Sequence, residues 1–168
     1  MKMKMMGCCV ALGCVAMAMP HKAKAQTDDD KQFLSMAAQS DQNEIALSNA
    51  AKDKATSPAV KAFAEKMVKE HTMMTDSMKP WAEKWGLTPP MGPDADHQKE
   101  LDELNGKSGN DFDKEYIDQM VTDHSKALSA FTKEAKDTKD AQFRAAVLKG
   151  KTHVAAHKNM AYDLKKKM

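Results

Sequence analysis

One five-residue phrase occurs twice in this chain, as MVKEH at Met67–His71 and as MVTDH at Met120–His124. In both copies an acidic residue precedes the histidine, and apolar residues recur around it at alternating spacings of three and four. That spacing is typical of a helix packed lengthwise in a bundle, with the histidine on its apolar stripe. A buried polar group without a partner costs about 1–3 kcal/mol, so the pattern raises the question of what His71 and His124 bind.

The first 25 residues have the pattern of a cleavable signal peptide. Two lysines stand near the start, residues 5–19 are apolar or small, and Ala23-Lys24-Ala25 is a small-x-small cleavage signal. We expect cleavage after Ala25, with residues 26–168 forming one domain of ordinary size in the periplasm or outside the cell.

A lipoprotein signal is the alternative interpretation of the same segment, with Ala11-Leu12-Gly13 preceding Cys14. Alanine is a poor first residue for that signal and the apolar run continues beyond Cys14, so the sequence favours secretory cleavage. All three cysteines of the chain lie in this leader. The cleaved chain therefore offers neither disulfides nor thiol ligands.

The basic character of the whole chain belongs to the leader. The chain has 26 basic and 24 acidic residues, and four of the lysines lie in residues 1–25, which have no acids. The 22 basic residues that remain (26 less four) give the mature chain a net charge of −2. Lysines and acids are interspersed along it, so nothing indicates a nucleic-acid partner. No apolar run in it reaches the roughly 20 residues of a membrane span.

Helical periodicity dominates the mature sequence, and strand patterns are absent from it. It predicts four long helices, at residues 28–55, 58–85, 110–136 and from about 139 to the C-terminus. Tight turns join the first pair and the last pair. The stretch Gly86–Ser108 joins the pairs and contains a short amphipathic piece at residues 98–104.

The length of that connection predicts the topology. Its 23 residues reach up to about 75 Å when extended, whereas helices of about 27 residues stand about 40 Å tall. It can therefore cross the bundle and leave the second and third helices parallel, with the two copies of the repeated phrase at one height. We predict an all-α, ferritin-like antiparallel four-helix bundle with one long crossover. An up-down-up-down bundle with a floppy loop is the alternative.

Polar side chains interrupt all four apolar stripes near mid-height. They are Glu44, His71, His124 and His157, with His153 as a spare. One carboxylate with several imidazoles suits one divalent transition metal such as zinc, manganese, iron or copper. A carboxylate-bridged di-iron site is not expected, because no histidine here has a glutamate three positions before it.

The same residues could instead form only a hydrogen-bonded network that fixes the register of the helices. The protein would then be a non-catalytic interaction or stress-protection protein. In that case, pairing of His71 and His124 with carboxylates such as Glu44 would raise the pKa of the histidines. We assign no catalytic residue and no organic cofactor.

Three further residues near the pattern received simpler interpretations. Glu70 and Asp123 point about 100° away from the histidines that follow them, so they are predicted to support those histidines or to lie at the surface. His97, in the crossover, is predicted to be solvent-exposed.

The segments that identify a family run along all four helices. They are Glu44-Ile45-Ala46-Leu47, Ser57–Ala64 leading to Met67-Val68-x-Glu70-His71, Phe112-Asp113-x-x-Tyr116-Ile117 leading to His124, and His157 with Met160-Ala161-x-x-Leu164. With them the chain resembles domain-of-unknown-function family 4142 (DUF4142), secreted bacterial proteins often labelled predicted outer membrane proteins. Glu70 stands where the family usually has Asp, and His153 has no counterpart in the family pattern. The resemblance implies a ferritin-like four-helix fold and an envelope location, and it implies no activity.

Overall fold

The computed structural model describes residues 27–168, so the predicted signal peptide lies outside the described residues. The helices are α1 Asp28–Lys54, α2 Pro58–Trp85, α3 Ala95–Asn105, α4 Gly109–Asp137 and α5 Ala141–Lys165. Over the described range the chain forms no strand. None of these helices carries a stretch long and apolar enough to cross a membrane.

The long helices begin and end at signals in the sequence. Thr27 accepts a hydrogen bond from the Asp30 backbone N–H at 3.1 Å, and the Asp30 side chain accepts one from the Thr27 N–H at 2.7 Å. This capping box starts α1. Pro58 occupies the first turn of α2, and Gly86 ends that helix with a φ of 67°. Asp140 starts α5 by accepting hydrogen bonds from two backbone N–H groups of its first turn.

Hydrogen bonds between α1 and α4 give the direction in which these helices run. The Ser48 and Tyr116 hydroxyls are 2.8 Å apart, and just beyond the end of α1 the Thr56 N–H and hydroxyl donate to the Asp113 carboxylate at 3.0 and 2.8 Å. As α1 advances, its partners recede along α4, so the two helices are antiparallel. Since α2 is also antiparallel to α1, α2 and α4 are parallel.

The two copies of the repeated phrase consequently lie at the same height. The Phe63 and Tyr116 ring centroids are 6.1 Å apart, and those of His71 and His124 are 5.4 Å apart. The bundle with one long crossover is therefore confirmed. The crossover carries α3, which packs against α1 and α4 and includes the amphipathic piece predicted at residues 98–104.

The hydrophobic core is divided into two clusters with a polar layer between them. The cluster near the α1–α2 turn includes Leu47, Phe63, Met67, Phe112, Tyr116 and Met120. The cluster near the α4–α5 turn includes Phe33, Met74, Phe131, Phe143 and Val147. Each histidine of the repeated phrase lies where its helix passes from one cluster to the other, which places both imidazoles in the polar layer.

Candidate metal centre

Three histidines from three helices meet in the polar layer. His71 on α2, His124 on α4 and His157 on α5 are 2%, 1% and 0% exposed. Their ring centroids form a triangle with sides of 5.0, 5.3 and 5.4 Å. One ring nitrogen from each lies within 4.8 Å of the others, so the three side chains can share one ion.

The ring of His71 is oriented by Asp41 on α1. Its Nδ1 lies 2.8 Å from Asp41 Oδ1, and the other oxygen of that carboxylate accepts a hydrogen bond from the Thr75 hydroxyl at 3.1 Å. An ionised carboxylate only accepts hydrogen bonds. His71 therefore carries its proton on Nδ1, and Nε2 offers a lone pair.

The other two rings are held in the same way. His124 Nδ1 donates to the Met120 carbonyl oxygen at 2.8 Å, and His157 Nε2 donates to Glu70 Oε2 at 2.6 Å. The remaining nitrogen of His157, Nδ1, is buried and has no hydrogen-bond partner among the described residues. Each ring thus donates one N–H to an oxygen acceptor, which leaves the second nitrogen of a neutral imidazole with its lone pair. Metal-binding histidines are usually held by such a bond from the second nitrogen.

The nitrogens also have the spacing that an ion requires. His71 Nε2 and His124 Nε2 are 3.3 Å apart. Two lone pairs at this distance repel each other, whereas two nitrogens 2.0–2.1 Å from a tetrahedral ion lie about 3.3 Å apart. The geometry of the pair therefore fits two ligands of one metal.

Burial keeps these imidazoles in the form that binds metals. Burial, together with the neighbouring His71 and His157, holds the pKa of His124 well below its usual value. Burial and then His71 lower the pKa of His157 to about 4, against the opposing effect of Glu70. The expectation that carboxylate pairing raises the pKa is wrong for His124, because burial and two adjacent imidazoles decide it. Both rings are neutral near pH 7, as ligation demands.

Glu44 lies behind His124 and outside the triangle. Its Oε1 is 3.5 Å from His124 Nδ1, the nitrogen that already donates to the Met120 carbonyl. Burial raises the pKa of Glu44 well above its usual value, and the charges of Asp123 and Asp41 add to the shift. A carboxyl group in this position lies next to the ring of His124 without facing the three converging nitrogens.

His153 occupies an outer position, one turn of α5 before His157. Its side chain is 36% exposed, and its Nδ1 is 3.9 Å from Glu70 Oε2. Glu70 also accepts a hydrogen bond from Lys66. Burial raises the pKa of Glu70, but the hydrogen bonds from Lys66 and His157 outweigh that effect and lower the pKa to about 2. A cavity of about 240 Å³ opens beside this group and is lined by Glu70, His153 and Asp41 among others. Glu70 and His153 therefore stand between solvent and the buried histidines.

The structure places two residues differently from the sequence interpretation. Asp41 was missed, because strict alternation of three and four residues assigns Ser40 to the stripe of α1, whereas Asp41 is the buried residue. Its position three residues before Glu44 is the signal that could have found it. His97 is not solvent-exposed as predicted: its side chain is 20% exposed, and its Nδ1 lies 2.9 Å from Asp94 Oδ1.

A family model for a domain of unknown function, DUF4142, matches residues 16–164. Among solved structures, the chain is similar to CopM in the Cu(II)-bound form, with 21% sequence identity, a TM-score of 0.68, and coverage of 85% of this chain and 99% of that chain. For CopM in the Cu(I)-bound form the identity is 22%, the TM-score 0.69 and the coverage 84% and 98%.

A DUF305 fragment from Deinococcus radiodurans matches with 11% identity, a TM-score of 0.71 and the same coverage, 84% and 98%. Comparison with curated proteins gives no match. At these identities the likeness shows the fold alone.

Proposed function

The chain belongs to the DUF4142 family, which is defined without a function, and we propose that it is a metal-binding protein whose centre lies in the middle of the bundle. His71, His124 and His157 are the ligands, with one ion per chain. Asp41, Glu70 and the Met120 carbonyl orient the three rings, and Glu44 lies outside the set of ligands.

The observation that carries this proposal is the direction of the hydrogen bonds around the three rings. Each ring has an oxygen acceptor for one nitrogen, and the nitrogens left over include a pair at 3.3 Å and the buried, unpartnered Nδ1 of His157. A divalent ion accepts all three lone pairs at once.

A purely structural network explains the same residues less well. Such a network stabilises a core when its members are satisfied, and each buried polar atom without a partner costs about 1–3 kcal/mol. His157 Nδ1 lacks a hydrogen-bond partner within residues 27–168. The interaction or stress-protection role would leave the orphaned nitrogen unexplained, whereas a metal ion uses it.

The ligand set favours copper or zinc over manganese and iron. Imidazole suits zinc, copper and iron, while manganese prefers carboxylate oxygens and bridged iron sites need glutamates that this triangle lacks. The similar fold of CopM, which has been solved with Cu(I) and with Cu(II), supports copper. We propose copper as the ion, with zinc as its competitor.

Delivery to the periplasm or outside the cell is part of the same proposal. It rests on the basic start, the apolar run and the small-x-small signal ending at Ala25. The mass of the mature protein tests it: a chain starting at Gln26 supports secretory cleavage, and a lipid-modified chain starting at Cys14 would replace it with the lipoprotein alternative.

Metal analysis of protein purified without a histidine tag tests the centre. We expect about one copper ion per chain after incubation with excess copper and removal of unbound metal. The His124→Gln variant should retain none, and the His153→Gln variant, altered at the outer position, should retain as much as the wild type.

Melting curves complete the test. Copper or zinc should raise the melting temperature of the wild type more than that of His124→Gln, with far-ultraviolet circular dichroism confirming that the variant is folded. A wild-type protein that retains no more metal than His124→Gln, and whose melting temperature rises no more than that of the variant with either ion, would overturn the proposal.

A further inference from the structure

A second group of ligand side chains lies outside the three-histidine centre, where the crossover helix α3 meets α4. His97 and Glu100 on α3 and Asp123 on α4 each place one ligand atom within 4.8 Å of the others. His97 Nε2 is 3.6 Å from Asp123 Oδ2 and 3.8 Å from Glu100 Oε2. These separations are too long for hydrogen bonds and short enough for three ligands of one ion.

Asp94 sets the orientation of His97. It caps α3 by accepting from the His97 backbone N–H at 2.9 Å, and the same oxygen lies 2.9 Å from His97 Nδ1. The Asn43 side-chain oxygen accepts a hydrogen bond from the Asp94 N–H at 3.0 Å. The Asn43 side-chain nitrogen lies 2.8 Å from Asp94 Oδ2 and 2.9 Å from His97 Nδ1. Because a hydrogen bond to a charged acceptor is the stronger one, Nδ1–H points to Asp94. The lone pair of Nε2 then faces the two acids.

The two carboxylates already converge on one point. The Gln119 amide nitrogen donates to Glu100 Oε2 at 2.8 Å and to Asp123 Oδ2 at 2.7 Å, the same oxygens that face His97. Asp123 also contacts Lys126 at 3.2 Å, but the lysine side chain is 70% exposed. The partial positive charge of one uncharged amide thus bridges the two carboxylates, and the lone pair of His97 Nε2 faces the same two oxygens.

The acidic residue of the repeated phrase has a similar position in both copies. In both copies the histidine enters the buried triangle while the preceding acid approaches a histidine of another helix. Glu70 lies 2.6 Å from His157, and Asp123 lies 3.6 Å from His97. Asp123, the acid of the second copy, therefore belongs to a separate group of ligand side chains. That group shares no residue with the three-histidine centre.

We propose that His97, Glu100 and Asp123 form a second, shallower metal site that binds a divalent cation of the zinc class. One imidazole and two carboxylates are ligands of the type that open zinc sites use, and water completes the coordination. The ion takes the place of the Gln119 amide hydrogens between the two carboxylates. Since its ligands come from α3 and α4, binding fastens the crossover helix to the bundle.

Calorimetric titration with Zn²⁺ of the metal-free full-length mature protein tests the site. Wild type should bind one Zn²⁺ per chain at this site, in addition to any held by the three histidines, and Glu100→Gln should weaken that event at least tenfold. Glu103→Gln is the matched control, because it removes the same charge from the same helix at a side chain that is 61% exposed. It should titrate as the wild type does.

Two further variants separate this site from the buried centre. His97→Gln should abolish the same binding event, while His124→Gln should leave it in place whether or not the buried centre binds metal. Zinc isotherms for Glu100→Gln and His97→Gln that match the wild type would overturn the second site, and would leave the proposal for the three histidines untouched.

Hydrogen exchange supplies a readout that does not depend on stoichiometry. Zn²⁺ should slow amide exchange in residues 95–105 of the wild type and of Glu103→Gln, and it should have no such effect in Glu100→Gln. Equal exchange in α3 with and without Zn²⁺ in the wild type would contradict a site that bridges α3 and α4.

Discussion

Asp41 and His71 lie thirty positions apart on neighbouring antiparallel helices, and the carboxylate of the one holds Nδ1 of the other at 2.8 Å. Neither side chain has appreciable solvent exposure. Because this bond determines which nitrogen of His71 carries the proton, Asp41 would orient a ligand of the proposed centre without itself binding the ion.

Replacing Asp41 with asparagine should therefore weaken metal binding without removing a ligand. Loss of a carboxylate that orients a ligating histidine typically lowers metal affinity 10–100-fold, and we expect a loss in that range for Asp41→Asn. Competition with a chelator of known affinity measures it. The control is Asp76→Asn on α2, where the carboxylate is 57% exposed and pairs with Lys79. Equal affinities for the two variants would show that Asp41 has no such role.

The buried histidines should make the metal-free protein sensitive to acid. In the unfolded chain histidine has a pKa near 6.5, whereas burial lowers the pKa of His157 to about 4 and that of His124 well below its usual value. Between pH 6.5 and 4 the unfolded state binds more protons, so the free energy of unfolding falls as the pH falls. Each such histidine contributes up to about 1.4 kcal/mol per pH unit.

The measurement compares variants, because carboxylates titrate over part of the same range. Denaturant unfolding of chelator-treated His157→Gln should depend less steeply on pH between 6.5 and 4 than unfolding of the wild type. His153→Gln, which changes the outer and more exposed imidazole, should change the slope less than His157→Gln does. A wild-type slope in His157→Gln would mean that His157 is not held neutral by the fold.

A pair of carboxyl groups near the C-terminal end of α4 predicts the reverse dependence of stability on pH. Burial first, and then the hydrogen bond and charge of Asp30, raise the pKa of Glu134 from its usual range to about 7. The folded state then binds more protons between about pH 4.5 and 7, so Glu134 costs stability as the pH rises through that window. Glu134→Gln removes the cost and should stabilise the protein by about 1–3 kcal/mol at pH 8.

At pH 4.5 the same substitution should change the free energy of unfolding little, because the glutamate is already protonated there. Urea unfolding at the two pH values measures the difference. The exposed Glu83→Gln should stay within about 0.5 kcal/mol of the wild type at both. A shift for Glu134→Gln that is the same at pH 8 and pH 4.5 would contradict the raised pKa.

Gly150 allows α5 to approach α4 closely beside the candidate centre. A Cβ at this position would lie 2.5 Å from Phe131 Cε1, so alanine forces the ring to move. Overpacking of this kind costs about 1–3 kcal/mol, although alanine recovers part of it as the better helix former. Gly150→Ala should lower the melting temperature.

A double-mutant cycle with Phe131→Leu tests the cause of that loss. The smaller side chain should remove most of the cost of Gly150→Ala, giving a coupling energy of about 0.5–3 kcal/mol. Additive effects of the two substitutions would show that the loss of stability in Gly150→Ala does not come from contact with Phe131.

The helices and their connectivity were predictable because their signals are local. The second helix was predicted at residues 58–85, where it lies, and the others agree to within about two residues except at the start of α3 and the end of α5. Proline at its first position and glycine at its end mark the limits of α2. The length of the crossover then decided the topology, and the parallel pair brought the two copies of the phrase together.

The orientation of side chains inside the polar layer was beyond the sequence. Glu44 shares the height of the histidines, yet it lies behind His124, and only three-dimensional packing decides which side of a ring a neighbour occupies. His97 was taken for a solvated loop residue because the crossover is rich in proline and polar residues. Asp94 three positions before it is a helix cap, and that cap brings the imidazole against the bundle.

The three nitrogens of the triangle come from α2, α4 and α5, so the unfolded chain has no preformed set of ligands. An ion that binds only the native chain at one hundred times its dissociation constant adds about 2.7 kcal/mol to stability. That is a large share of the 5–15 kcal/mol that holds an ordinary domain together. Molecules deprived of metal would then unfold more often and be degraded sooner, and the amount of this protein would itself follow the supply of the ion.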